Sequence, residues 1–559
     1  FDATLAFGTS FDDGRGRAVG YVGYRDIKAV TQDNRDYSAC ALSGRSTAAV
    51  AANGQLYTCG GSATSATGTV FYNVGSGADF TSTLGQFGPN RTLLGGFTPY
   101  NFAPTNYFQR PDERYTAGVF ADYEISEAFH PYMEFMFMDD RTVAQIAPSG
   151  NFGNTFSINC DNPLLGAGQR AELCNANNLL VSPLPGNAFT VTGNVAAENA
   201  ARAARGLGEP QLPTTPFNFI DPLTGQTYNR GFAQILRRNV EGGPRQDDLQ
   251  HTSYRAVLGV KGDLSSAWNY DAYYQYGRTN FAQTYFNDFS VTRLTRALDV
   301  VTGPTGAPVC RSTLDGTDPN CVPYDIFSPG TVRPSDAAIA YLSTPGFTRG
   351  VVSQQIASAY VSGALGEYGV QSPWADEGIG LVLGAEYRKE KLDFAADTAF
   401  STGDLAGQGA PTLSVAGEFD VKELFTEVRI PIASDSWVYD FNITGGYRYS
   451  DYSTGAQTDT YKIEGEFAPV RDIRIRGGYN RAVRAPTVQD LFAPQRVALD
   501  GSTDPCAGFT ITAADIGCIA SGLGVGRFTP LNPASQYNGL IGGNPDLVPE
   551  VADTYTVGA

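Results

Sequence analysis

Apolar and polar residues alternate along many stretches of the chain, which predicts β-strands with one apolar and one polar face. In the stretch 437–452 the apolar side chains share one face: Tyr439, Phe441, Ile443, Tyr447 and Tyr449. The side chains of Asp440, Asn442 and Thr444 fall on the other face. Many such stretches are longer than the five or six residues usual for strands of soluble proteins. Long two-faced strands are typical of a transmembrane β-barrel, whose wall has lipid outside and water inside.

The same alternation predicts about 13 antiparallel strands along the chain. Strands running towards the short connections are expected near residues 3–11, 113–126, 248–264, 357–366, 419–432, 458–468 and 551–558. Strands running away from them are expected near residues 17–30, 129–146, 268–286, 378–394, 437–452 and 471–484. The predicted fold class is therefore all-β, a transmembrane antiparallel barrel.

The connections between these strands alternate in length. The short ones lie near 126–128, 265–267, 433–436 and 468–472. The long ones lie near 31–112, 147–230, 287–356, 395–418 and 485–550, and 453–457 is a short exception among them. Outer-membrane barrels have tight turns at one rim and long loops at the other. A large soluble β-sandwich also alternates in sequence, but it has no reason to sort its loops in this way.

Composition agrees with a strand-rich membrane protein. The chain has 559 residues, with 64 Gly, 30 Tyr and 33 Phe, which suits strands and turns. The net charge of −18 argues against a nucleic-acid partner. No run approaches 18 consecutive apolar residues, so no transmembrane helix is predicted. A barrel strand would not be detected by summed hydropathy, because its apolar residues alternate with polar ones. Residues 195–207 predict one short helix in a loop.

The eight cysteines form four close pairs, each inside one long connection. The pairs are Cys40 with Cys59, Cys160 with Cys174, Cys310 with Cys321, and Cys506 with Cys518. Eight cysteines allow 105 pairings, and closeness within a loop favours this one. Such disulfides imply an oxidising compartment, and on the loop side of a barrel they would be extracellular. Metal binding by the thiolates is the alternative, although no CxxC motif occurs and only His130 and His251 could assist.

No catalytic site is predicted. The chain has two histidines and no nucleophile motif, so no Ser-His-Asp set can be proposed. The stretch Asp315–Asn320 offers oxygen ligands for Ca²⁺, but it lacks the spacing and closing Glu of an EF-hand loop. We therefore expect no enzyme activity, no cofactor and no metal site.

Two segments near the end of the chain resemble motifs of the TonB-dependent receptors of the Gram-negative outer membrane. The first is "RGGYNRAVRAPTVQDLF" (476–492), and the second is "GGNPDLVPEVADTYTVG" (542–558). The motif positions are Arg476, Tyr479, Arg481, Arg484, Pro486, Leu491, Phe492, Asn544, Pro545, Pro549 and Glu550. We expect structural roles for them. Pro486 ends ladder pairing where the strand leaves the wall; Arg481 and Arg484 bond carboxylates or carbonyls across the lumen or rim.

The resemblance implies that residues 1–559 are part of a 22-stranded barrel. A plug domain, a first strand and further C-terminal strands would then lie outside this stretch. It also implies active uptake of a large, scarce solute, such as an oligosaccharide or a ferric siderophore. The implied partners are outer-membrane lipid and lipopolysaccharide, the nutrient itself, and the inner-membrane TonB complex, which acts through the plug.

Two other classes of function remain open at this point. One is a passive or protein-exporting outer-membrane pore without energy coupling. The other is a soluble β-sandwich adhesin braced by disulfides. A plug upstream of Phe1 would favour uptake over a passive pore. A requirement for detergent would separate a barrel from the adhesin.

Overall fold

Thirteen strands form one antiparallel sheet in the computed structural model, which describes residues 1–183, 190–205, 210–501, 503–509, 511–525 and 537–559. The strands are β1 Asp2–Phe11, β2 Gly16–Ile27, β3 Asp112–Tyr123, β4 His130–Pro148, β5 Pro244–Asp263, β6 Trp268–Phe289, β7 Ser343–Ala364, β8 Gly380–Ala396, β9 Val415–Ser434, β10 Asp440–Tyr452, β11 Gln457–Val470, β12 Ile473–Arg484 and β13 Glu550–Gly558. Each strand pairs with the next in this order. The sheet is open, with β1 and β13 outermost.

The predicted strands are confirmed in number and order, but several of their ends were placed wrongly. The largest error concerns β7, which begins at Ser343 although the alternation predicted a strand only from 357. The rim with the long connections is taken as the upper end of the sheet. The added part of β7 pairs with the upper half of β6, from Thr348 opposite Gln283 to Ile356 opposite Gln275. This part lies beyond the apolar band described below. Its outward positions need not be apolar, so the sequence carries no alternation there.

One face of the sheet is apolar over about nine residues from the short turns, the length with which a tilted strand crosses hydrocarbon. On β8 this face carries Leu381, Leu383, Ala385 and Tyr387, and then Lys389 and Lys391. The same change to charged residues occurs on the neighbouring strands. The charged residues at this height on the same face of the other strands are Asp26, Glu113, Asp139, Arg141, Glu418, Asp420, Asp451 and Asp459. The apolar band therefore ends at a charged border on β2 to β4 and on β8 to β11.

Aromatic side chains mark both edges of the apolar band. All three tryptophans of the chain lie at the short turns, as Trp268, Trp374 and Trp437. At the opposite edge, rings contact one another across strands: the centroids of Tyr479 and Tyr555 are 4.9 Å apart, with the ring planes tilted by 38°. Other rings at that edge are Tyr24, Tyr115, Phe137, Tyr254, Tyr276, Tyr387, Tyr449 and Tyr461. Two such girdles are typical of the interfacial belts of outer-membrane barrels.

The residues of the stretch 437–452 fall on the faces that alternation predicts. Phe441, Ile443, Tyr447 and Tyr449 share the apolar face, and Phe441 lies opposite Phe467. Tyr439 lies in the turn before β10 and not in the strand. Phe441 is the second residue of β10, so it lies close to the short-turn edge and away from the middle of the band.

Four long connections fold together into a loop unit at the rim opposite the short turns. They span 28–111, 149–243, 290–342 and 397–414. A five-stranded sheet joins the first two connections, in the order Gly150–Phe152, Gln234–Arg238, Thr69–Val74, Thr81–Gly88 and Thr92–Gly95. A shared core contains Phe87, Ile235, Leu294, Phe327 and Ala406, so all four connections contribute to it.

The connections also contain helices and short paired strands. The helices are α1 Thr47–Asn53, α2 Ala167–Leu173, α3 Val195–Arg205, α4 Val291–Leu298, α5 Arg311–Leu314, α6 Asp336–Leu342, α7 Thr398–Ser401, α8 Val488–Phe492 and α9 Ile516–Ala520. The two-stranded ladders are Val30–Thr31 with Tyr107–Gln109, Leu42–Gly44 with Tyr57–Cys59, Ser157–Asn159 with Arg230–Phe232, Phe219–Ile220 with Thr227–Tyr228, Val300–Thr302 with Pro308–Cys310, and Arg496–Gly501 with Tyr537–Ile541. The helix predicted at 195–207 is α3, and residues 206 and 207 lie outside the described residues.

Four disulfides lie within the long connections. They join Cys40 to Cys59, Cys160 to Cys174, Cys310 to Cys321, and Cys506 to Cys518. Cys310 and Cys321 belong to the core of the loop unit. In the part of the chain that is described, no helix is long and apolar enough to cross a membrane.

An arginine in the middle of the apolar band should destabilise the wall, and Val428 is a suitable position. It lies on the apolar face of β9 opposite Leu381 and Gly445. We expect Val428→Arg to cost roughly 2–4 kcal/mol of folding free energy in a bilayer, because the guanidinium would face hydrocarbon. Unfolding of the full-length protein in lipid vesicles by denaturant measures this cost.

The matched control is Thr444→Arg on the polar face of the neighbouring strand. Thr444 lies opposite Arg429 and also opposite Glu464, which could pair with the new guanidinium. This variant should change the unfolding free energy by less than about 1 kcal/mol. An equal cost for the two variants would contradict the assignment of the faces.

Candidate functional site

A chain of hydrogen bonds crosses five strands on the polar face of the sheet. It begins at Glu134 on β4, which accepts from Arg255 Nη1 on β5 at 2.7 Å. Arg255 Nε donates to Gln275 on β6 at 2.8 Å, and Gln275 donates to Gln354 on β7 at 3.0 Å. Gln354 then donates to Glu390 on β8 at 2.7 Å. We call these five residues the polar stripe.

The polar stripe is partly open to water, and it contains two carboxylates and one guanidinium, with Arg388 Nε 3.8 Å from Glu390. The side chains of Arg255 and Glu134 are 40% and 34% exposed. Beyond Glu390, a second ion pair joins Arg448 Nη1 on β10 to Glu423 on β9 at 3.0 Å. The polar face therefore presents paired charges to water.

The stretch 484–492 turns the chain from strand β12 onto this same face. Pro486 follows the end of β12 and has no N–H for a ladder. Thr487 then caps helix α8: its hydroxyl accepts from Asp490 N, and Asp490 accepts from Thr487 N at 2.9 Å. This reciprocal pair is a capping box, so the sequence Thr-Val-Gln-Asp starts a helix directly after the proline.

Helix α8 packs onto the polar face of the wall. Val488 and Leu491 are buried there against Phe419 and Val421 of β9 and Tyr452 of β10. Phe492 lies over Gly417, where a Cβ would come within 2.4 Å of its ring. The long connection 485–549 is therefore anchored to the inside of the wall at its start.

The second motif returns to helix α8. Gly543 N donates to Ala493 O at 2.7 Å, and Asn544 N donates to Asp490 O at 2.8 Å. A Cβ on Gly543 would lie 2.6 Å from Ala493 N, so only glycine allows this approach. Pro545 and Pro549 follow in the turn that leads into β13. The structure thus brings the two sequence motifs into direct contact.

The motif arginines divide between the two faces. Arg481 is on the apolar face and pairs with Asp553 through Nε at 2.9 Å, at the aromatic upper edge of the band. Tyr479 donates to the same carboxylate at 2.8 Å. Arg484 is on the polar face, 3.5 Å from Glu550. Arg476, also on the polar face, lies opposite Glu466 and Gly558.

Within the loop unit, one arginine joins two connections. Arg311 is 7% exposed and bonds Asp161 of the connection 149–243 at 2.8 Å. It also bonds Asp221 and lies 3.9 Å over the ring of Tyr228. Asp299, 3.4 Å from Arg311, also pairs with Arg230 of the other connection at 3.2 Å. A buried cation with several carboxylate partners is costly to break, so it holds the connections together.

A family model described as TonB dependent receptor-like, beta-barrel matches residues 199–559, well over half of the chain. The chain belongs to the TonB-dependent receptor family. This is a family of receptors and transporters and not an enzyme class, and it implies a location in the outer membrane. No curated protein sequence matches the chain.

Solved structures are similar to the chain only at a low level. The ferric enterobactin receptor PfeA of Pseudomonas aeruginosa shares 11% identity over 98% of this chain and 47% of its own, with a TM-score of 0.40. The siderophore receptor PirA of Acinetobacter baumannii shares 9% identity over 100% and 47%, with a TM-score of 0.42. The RagAB peptide transporter shares 10% over 97% and 42%, with a TM-score of 0.35. Such similarities carry no argument about function.

The chain spans about half the length of these solved structures. In this TonB-dependent receptor, the sequence marked the residues of the polar stripe only as polar positions of alternating strands, and no pattern predicted that they contact one another. Its partners meet only through the register of β4 to β8. Among the described residues, no three His, Cys, Asp or Glu side chains are grouped closely enough to hold a metal ion.

The contact between the two motifs can be tested at Gly543. We expect Gly543→Ala to detach the return segment from α8, because its Cβ would overlap Ala493 and Leu491. Limited proteolysis of the full-length receptor should then cleave the connection 485–549 at least several-fold faster.

Gly517→Ala is the matched control in the same connection. A Cβ at Gly517 meets no atom within 4 Å, so this substitution should leave the cleavage rate unchanged. Equal rates for Gly543→Ala and the unaltered receptor would show that the contact does not hold the connection in place.

A carboxylate in the loop unit should make its stability depend on pH. Hydrogen bonds from Tyr341 at 2.7 Å and Arg296 at 2.9 Å hold the pKa of Asp318 below its ordinary value of 3.8. The stabilisation is therefore present above pH 3.8 and is lost as pH falls through the lower pKa of the folded state. Asp318→Asn should speed amide exchange in 290–342 at pH 7.

The unaltered receptor and the Asp318→Asn variant should converge in acid, because the protonated carboxyl of Asp318 and the amide that replaces it are both neutral. Hydrogen exchange normalised for its intrinsic pH dependence measures the difference. Asp336→Asn serves as control, since the Asp336 side chain is 86% exposed and pairs only with Arg333. A difference for Asp318→Asn that persists unchanged below the pKa of Asp318 would contradict the role of its charge.

Proposed function

We propose that the chain is part of an outer-membrane receptor that takes up a large, scarce solute with energy supplied by the TonB complex. The observation that carries the proposal is a two-faced 13-stranded sheet together with the family match over 199–559. The apolar face with its two aromatic girdles suits lipid, and the polar face with its ion pairs suits a water-filled lumen. No covalent chemistry is part of this function.

In this proposal, residues 1–559 contribute 13 strands to a 22-stranded wall around a plug domain. The TonB complex would act on that plug, which lies outside this stretch. The motif residues Arg476, Tyr479, Arg481, Arg484, Pro486, Leu491, Phe492, Asn544, Pro545, Pro549 and Glu550 would be structural. The contacts of Tyr479 and Arg481 with Asp553, and of α8 with the wall and the return segment, support this role.

The lipid partners follow from the two ends of the apolar face. The apolar band would contact acyl chains, and the aromatic upper edge would meet the head groups. Above it, Lys389 and Lys391 lie at a height where they could meet lipopolysaccharide phosphates. The solute would be an oligosaccharide or a ferric siderophore, held first by the loop unit. The net charge of −18 gives no support to nucleic acid as a partner.

Uptake assays on the full-length receptor test the proposal. The receptor is expressed in Gram-negative cells with and without a functional TonB complex, and labelled ferric siderophores and oligosaccharides are offered at low concentration. We expect at least one solute to accumulate only in cells with the complex, because an energised plug must open the lumen.

Two other outcomes would contradict this function. Equal accumulation with and without the complex would indicate a passive pore. Extraction of the protein from cells without detergent would indicate a soluble adhesin.

A further inference from the structure

A cavity of about 500 Å³ lies where three of the long connections meet. Asn154 comes from the connection 149–243, and Pro411 and Leu413 come from 397–414. Gln495, Arg496 and Asn538 come from 485–549. These connections rise from strands that are far apart in the sheet, and the last is anchored on the polar face by α8. The volume is in the range of sites for small organic ligands.

Several polar groups of this cavity have no partner among the described residues. Arg496 Nε is buried without a hydrogen-bond acceptor, and its guanidinium makes no ion pair with any described residue. The side-chain amides of Gln495 and Asn538 have no hydrogen bond within the described residues. Asn154 uses only its oxygen, which accepts from Phe152 N at 2.9 Å. Arg496 as a whole is only partly buried, so its unpaired guanidinium is accessible to an anion that would give Nε an acceptor.

The backbone fixes these groups in place. Arg496 pairs with Ile541, and Leu499 pairs with Asn538, so a two-stranded ladder carries both polar side chains. On the other side, Asp397 caps α7 by accepting from Phe400 N at 2.9 Å. Ala406 N donates to Phe289 O at 2.8 Å, which ties the connection 397–414 to the top of β6.

We infer that this cavity binds a carboxylated sugar unit of the transported solute, with Arg496 paired to the carboxylate. This rests on the proposed uptake function and names the class of solute. A guanidinium forms two parallel bonds to a carboxylate. The three amides offer donors and acceptors to hydroxyl groups, and Pro411, Leu413 and Val497 supply an aliphatic side for the sugar ring.

A ferric chelate fits the cavity less well. Arg496 is the one cationic side chain among its described lining residues, and none of those residues is acidic. A chelate with several negative charges would need several cations, whereas one carboxylate needs one. A protein with net charge −18 also repels anions elsewhere on its surface, which makes a single unpaired guanidinium selective.

Titration calorimetry on the full-length receptor tests this inference with trigalacturonate and with its methyl ester, in which every carboxylate is masked. We expect trigalacturonate to bind and the ester to bind at least tenfold more weakly. Arg496→Gln should weaken trigalacturonate about ten- to a hundredfold, because a hydrogen-bonded charge pair is lost. The same variant should change binding of the ester less than twofold, and Arg496→Lys should retain part of the affinity.

Arg333→Gln is the matched control. Arg333 is a loop arginine with a 63% exposed side chain, and its loss should leave binding unchanged. Equal binding of acid and ester, no binding of trigalacturonate, or tighter binding of ferric citrate would overturn the inference. Circular dichroism and gel mobility before and after heating show that each variant is folded.

The two proposals fail separately. Energised uptake of some other solute, unaffected by Arg496→Gln, would overturn the cavity assignment and keep the receptor function. Binding of trigalacturonate that depends on Arg496, without any TonB-dependent uptake, would overturn the receptor function and keep the assignment of the cavity.

Discussion

Register between neighbouring strands is the constraint on which the rest of this molecule depends. Because side chains alternate with a period of two, a slip of one residue would exchange the two faces of a strand. Such a slip in β8 would place Glu386 and Arg388 on the lipid side. The correct register instead aligns Leu381 with Val428 and Glu390 with Gln354. One set of pairings therefore provides both the membrane band and the polar stripe.

The loops depend on the wall in the same way. Strands β4 to β9 continue well above the band, and their ends bring four connections close enough to share one hydrophobic core. Buried charges then fix the connections to one another. Arg311 bonds Asp161 and Asp221 of one connection and lies 3.4 Å from Asp299 of its own. The wall positions the loop unit, and the loop unit positions the cavity around Arg496.

Alternation in the sequence predicted nearly every strand because the membrane imposes it wherever a side chain faces lipid. Above the band side chains do not face lipid, so the sequence does not alternate there, and the upper part of β7 from Ser343 was not predicted. The motif around Pro486 predicted the end of β12. It did not predict that α8 would fold onto Phe419 and Val421, since this contact joins residues some seventy positions apart. No sequence pattern marked Arg496, because only the structure shows that its Nε is buried without a hydrogen-bond partner.

The placement of the tryptophans gives this protein an optical property. All three indoles of residues 1–559 lie at the short-turn girdle, so the tryptophan fluorescence of this stretch arises from a single depth of the bilayer. Trp374 and Trp437 are more than half exposed on the isolated chain, so their emission reports directly on contact with that leaflet. A quencher confined to one leaflet would therefore dim nearly all of the emission or almost none, and so reveal which way the molecule is inserted.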